Sequence, residues 1–101
     1  MIDGSTLITQ SATVGDTPVT VNLSALQSPY TVTLIPGAGN TSQCEYSTTG
    51  NAAQSPATAT WLPWRKGVVS VATGDVYYGK LTALRFTRVS GASLDTFEVV
   101  A

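Results

Sequence analysis

The stretch TWLPWRKG places Trp61 and Trp64, the only tryptophans of the chain, on either side of Leu62-Pro63 and directly before Arg65 and Lys66. Indole faces beside cationic side chains can do three kinds of binding chemistry. They can stack on sugar rings, with Tyr77 or Tyr78 as further platforms and neighbouring polar groups on the hydroxyls. They can stack nucleic-acid bases while Arg65 and Lys66 hold phosphates. Or they can fill the core and a subunit contact, where aromatic and arginine side chains dominate the energetics. Pro63 removes a ladder donor and marks an edge or a bend, and a three-residue separation in a bent segment need not put both rings on one face. The expectation is therefore core or interface first, a sugar platform second, and nucleic acid third.

Reactive chemistry is sparse elsewhere. Histidine is absent, which removes the commonest general base and the commonest transition-metal ligand and forbids any Ser-His or Cys-His nucleophile. Cys44 is the single cysteine, so neither an internal disulfide nor a multi-cysteine metal site can form. Glu45 beside it supplies no cation to activate the thiol, and its place in an alternating run reads as a small buried hydrophobe. The six carboxylates form no recognisable glycosidase pair. The glycines of IPGAGN lack the Gly-Lys-Ser/Thr ending and strand-to-helix setting of a phosphate loop, and Asp and Asn are too dispersed for a calcium loop. No catalytic residue, cofactor or metal is expected.

A chain of 101 residues encloses one hydrophobic core, so residues 1–101 read as a single domain. Charged residues make up 11%, against roughly 25% in ordinary soluble domains, so either Thr and Ser carry the surface or another molecule covers part of it. The formal net charge is −1, which offers no overall field for nucleic acid or an anionic membrane. All five basic residues fall between Arg65 and Arg88, a segregation expected to make a solvated face. The opening MIDGSTLITQ has no basic n-region and no apolar h-region, and no run approaches the roughly 20 apolar residues of a membrane span. A product made in the cytoplasm without a signal peptide is expected.

The elements that must position these residues are strands. Val19, Val21 and Leu23 alternate with polar residues, as do Tyr30, Val32 and Leu34, and Cys44, Tyr46 and Thr48. Further strands are expected at VVSVA (residues 68–72), LTALRFTRV (81–89) and TFEVV (96–100), all rich in β-formers. Turn formers separate them at GDTP, PGAGN, TGN, RKG, TGD, YGK and SGAS. NLSALQ could make one helical turn at most, and the small polar segment 47–60 reads as a long loop. The fold class is all-β: an antiparallel β-sandwich, jelly-roll-like domain or small barrel of about seven or eight short strands. Residues 1–17 read as a possible extended N-terminal arm that could add to a neighbouring subunit's sheet edge.

LTALRFTRV divides its faces poorly. Leu81, Ala83, Arg85, Thr87 and Val89 share one side, and Thr82, Leu84, Phe86 and Arg88 the other. TFEVV repeats the mixture, Phe97 and Val99 being opposed by Glu98 and Val100. A strand with one face in water should separate better, so its second face is expected on another subunit or, alternatively, under a loop. Arg85 and Arg88 would then need partners, Glu98 or Asp95 across the SGAS hairpin, because an unpaired buried charge costs several kcal/mol.

From Trp61 to Val100 the order is a Trp near a glycine-containing turn, a short Val-rich strand, LTALRFTRVSG and a closing apolar strand. That order resembles the small all-β virion proteins of tailed bacteriophages, particularly those that decorate or cement the capsid and some that line the tail. The resemblance implies a non-enzymatic structural protein, a jelly-roll-like or barrel domain that assembles, often as a homotrimer, on the major capsid protein or other virion proteins. Location in the virion, after assembly in the host cytoplasm, follows, with no nucleic-acid or membrane partner. The contact residues expected are Trp61, Trp64, Arg65, Tyr77, Tyr78, Arg85 and Arg88. The alternative is a carbohydrate-binding or tail receptor-binding module that uses Trp61 and Trp64.

Overall fold

The computed structural model describes residues 9–101. It contains eight strands and, among the described residues, no helix: β1 (Thr9–Val14), β2 (Val19–Asn22), β3 (Tyr30–Ile35), β4 (Thr41–Ser47), β5 (Leu62–Pro63), β6 (Thr73–Tyr77), β7 (Ala83–Ser90) and β8 (Asp95–Val100). They form two antiparallel sheets ordered β1-β8-β3-β6 and β2-β7-β4-β5. In both sheets the first half of the chain pairs with the second in mirror order: β1 with β8, β2 with β7, β3 with β6 and β4 with β5. The pairs β3–β8 and β4–β7 then join these ribbons side by side.

One core lies between the sheets. β3 alternates buried Tyr30, Val32 and Leu34 with outward Thr31, Thr33 and Ile35, and β8 alternates Asp95, Phe97 and Val99 with Thr96, Glu98 and Val100. From the other sheet come Val21, Cys44, Leu84 and Phe86, and Phe86 stacks on Phe97 with ring centroids 4.1 Å apart. The period of two thus buries one side-chain row per strand, each large member worth roughly 1.5–3 kcal/mol in removal from water.

The mixed faces of β7 have a local cause. Leu84 and Phe86 point into the core, while Ala83, on the opposite face, is also fully buried. The segment between β4 and β5 returns over this region: Thr82 Oγ1 donates to the carbonyls of Ser47 and Thr49, Ala52 is buried, and Trp61 lies over Arg85. A loop of the same chain therefore covers part of the second face. β8 needs no cover, since Val100 is half-buried and Thr96 and Glu98 are exposed.

Two strand assignments differ from the sequence pattern. VVSVA forms only an isolated bridge, Val69 to Ser42, and the neighbouring strand β6 begins instead at Thr73-Gly74-Asp75, which reads as a turn in sequence. β6 is an edge strand, where a glycine costs little ladder packing. NLSALQ is a turn without helix. Of the stretch expected as an arm, residues 1–8 lie outside the described residues, and Thr9–Val14 pairs with β8 of its own chain.

Candidate functional site

The seven residues expected at contacts do not come together at one place. Trp64 is in the core, 2% exposed, its backbone N–H bonded to Cys44 O and its indole Nε1 donating to Gly67 O at 2.6 Å. No face of it is open to a ligand. Trp61 is half-buried on the outer side of the β2-β7-β4-β5 sheet, its Nε1 donating to Pro56 O and its ring 4.4 Å from the Arg85 guanidinium carbon. The two indoles therefore make no common platform.

Arg85 pairs with Glu45 at 2.9 Å, and Arg88 pairs with Asp16 and donates to Ser93 O. These partners replace Glu98 and Asp95. Register is the reason: Glu45 stands directly opposite Arg85 across β4–β7 and on the same face, where opposite charges attract at shortest range. Tyr78 follows β6 and is 78% exposed.

Arg65 and Tyr77 come together at the open edge between β5 and β6. Arg65 Nε donates to Asp75 Oδ2 at 2.7 Å and Nη2 to Val76 O at 3.0 Å, which parks the guanidinium 5.7 Å from the Tyr77 ring centroid. Tyr77 meets Tyr46 with centroids 5.5 Å apart and planes inclined at 47°. Tyr46, Pro63, Arg65, Tyr77, Gly79 and Leu81 line a cavity of about 400 Å³. The Tyr77 hydroxyl is buried with no hydrogen-bond partner among the described residues, and burial first, with Cys44 and Asp75 adding, raises its pKa above the ordinary tyrosine value. It stays a neutral O–H. Tyr46 carries only a core-strand signal in sequence, so its meeting with Tyr77 is legible only once β4 and β6 are placed in facing sheets.

A second polar group was also missed. At the end bearing turns 36–40 and 91–94, the fully buried Asp95 accepts from Gly37 N at 2.8 Å, Asn40 Nδ2 at 2.7 Å and the Ser42 hydroxyl. Burial alone would raise its pKa, yet the Asn40, Ser42 and Gly37 hydrogen bonds and the Arg88 charge hold it below the usual carboxylate value. Asn40 reaches on to Ser93 O and accepts from Ser93 N. Gly91 sits opposite with φ +104°, and any Cβ there would run into Asn40. These hydrogen bonds join turns 36–40 and 91–94, so the arrangement clasps the two turns together.

The same end carries most of the exposed apolar bulk. Ile35, Val68, Val71, Val89 and Leu94 are between 43% and 69% exposed, and all lie on segments meeting there: the close of β3, the crossing 67–72 that bridges to Ser42, the close of β7, and turn 91–94.

Cys44 is buried, and burial foremost, then Glu45 and Asp75, pushes its thiol far above the ordinary range. It is an inert core residue in the folded chain. Among the described residues no three His, Cys, Asp or Glu side chains gather to hold a metal ion, and no helix is long and apolar enough to cross a membrane. No protein-family model, curated protein or solved structure matches the chain.

Proposed function

We propose that this chain is a non-enzymatic structural protein of a tailed-phage virion, a capsid decoration or cement protein that self-associates and binds the head through its apolar end. The observation that carries the reading is the concentration of Ile35, Val68, Val71, Val89 and Leu94 at one end in a chain with 11% charged residues. Exposed apolar groups gathered in one region mark contact surfaces more often than scattered ones do. The Asp95 clasp holds turn 91–94 and turn 36–40 in place beneath them, so little ordering entropy is lost on binding.

The mirror pairing of strands supports a jelly roll, the architecture in which an eight-stranded antiparallel ribbon wraps into two sheets. Jelly rolls serve capsids and lectins alike, so fold supports the reading only by analogy. The contacts assigned by resemblance to Trp61, Arg85 and Arg88 move, in this reading, to the apolar end, because those side chains are occupied within the chain.

Co-sedimentation with capsids assembled without the protein tests the proposal. The wild-type chain is expected to pellet with them and the Val71→Asp/Leu94→Asp double variant to stay in the supernatant with an unchanged circular dichroism spectrum. Equal pelleting of the two, or none by either, would overturn it.

A further inference from the structure

The cavity at the β5–β6 edge is independent of the apolar end, and we propose that it is a saccharide site that seats one pyranose ring. Its volume of about 400 Å³ lies within the range of small-molecule sites. Its walls are of the composition such a ligand needs. Tyr46, Tyr77, Pro63 and Leu81 line it with aromatic and apolar groups, the kind of surface on which the C–H face of a sugar can lie. The two tyrosines touch, with planes inclined at 47°, so they form a shallow angled seat.

The polar groups are arranged to match. Arg65 is fixed by Asp75 and by Val76 O, and these two bonds use Nε and Nη2, leaving Nη1 without a partner among the described residues. A charged donor held still beside an aromatic face is placed to meet a ring hydroxyl or a ring carboxylate. Asp75 has its side chain largely buried and its oxygens taken by Arg65 and Val76 N, so no carboxylate opens into the cavity to repel an acidic sugar. Tyr77 contributes its ring to the lining, while its hydroxyl is buried behind it. Neither tryptophan takes part.

The test is an amide NMR titration of the whole chain with glucose, galactose, N-acetylglucosamine and glucuronate in turn, with oligoproline as the peptide probe. Saturable shifts at Tyr46, Tyr77, Gly79 and Leu81 are expected from at least one sugar. Preference for glucuronate would assign Arg65 to a carboxylate, and preference for a neutral sugar to a hydroxyl. Arg65→Gln should weaken that binding about tenfold, the loss of one charge-assisted hydrogen bond. Because Arg65 is largely exposed, this variant keeps the fold. Tyr46→Ala, checked for folding by its spectrum, should lose the shifts. Silence towards every sugar, shifts from oligoproline alone, or sugar binding indifferent to Arg65→Gln would each overturn the proposal.

Discussion

Two aspartates of this molecule, Asp95 and Asp75, do opposite work. At the turn end, Asp95 is fully buried, and its hydrogen bonds to Gly37, Asn40 and Ser42, with Arg88 close by, are all spent within the chain. At the β5–β6 edge, Asp75 holds an Arg65 that is 63% exposed, beside a tyrosine hydroxyl without a partner among the described residues. The difference lies in what remains free. A closed network fixes backbone, whereas one with spare donors beside an aromatic wall can take a ligand.

The largest effect should come from breaking the closed network. Asp95→Ala strands the Gly37 N–H, Asn40 amide and Ser42 hydroxyl inside the protein and is expected to cost about 3–5 kcal/mol in urea unfolding. A cost under about 1 kcal/mol would mean that the clasp does not hold this end. Gly91→Ala attacks the same place through the backbone, since alanine disfavours φ +104° and its methyl meets Asn40. Roughly 2–3 kcal/mol is expected in the same measurement.

Acid should find the clasp as well. Asp95 has its folded-state pKa lowered, so its contribution is present in full above the unfolded-state value of about 3.9 and fades as pH falls through the lower folded value. Thermal melts from neutral pH downward should show stability dropping below about pH 4, less steeply in Asp95→Asn. Matching slopes would show that other carboxylates govern acid unfolding.

At the edge the effect on stability should be smallest. Arg65→Gln removes an ion pair whose arginine is exposed but whose Asp75 carboxylate is largely buried, and because glutamine can still donate to it the expected cost is about 1 kcal/mol, so that loss of sugar binding without loss of fold sharpens the contrast. A cost comparable with Asp95→Ala would erase it.

How much of this could be read from sequence depended on how local the cause was. The alternation in residues 19–23, 30–34 and 43–48 gave strands because burial on one face repeats every two residues, and Pro63 falls on an edge strand for want of an N–H. Cys44 is buried as its run suggests. β6 was hidden because Thr73-Gly74-Asp75 has turn composition, and only its pairing with β3 makes it a strand. The partners of Arg85 and Arg88 depend on register and on the β1–β2 turn, neither of which is written near them. Asp95, Asn40 and Ser42 are more than 50 positions apart from end to end, so nothing along the chain announces their meeting. The tryptophans, conspicuous by type, proved to be held by carbonyls of Gly67 and Pro56.

Whether the apolar end is a surface for assembly is read from the mass of the purified protein by light scattering behind a sizing column. A trimer or larger multiple of the 10.5 kDa chain is expected, falling to one chain in Val71→Asp/Leu94→Asp. A wild-type protein that stays a monomer at every concentration would contradict it.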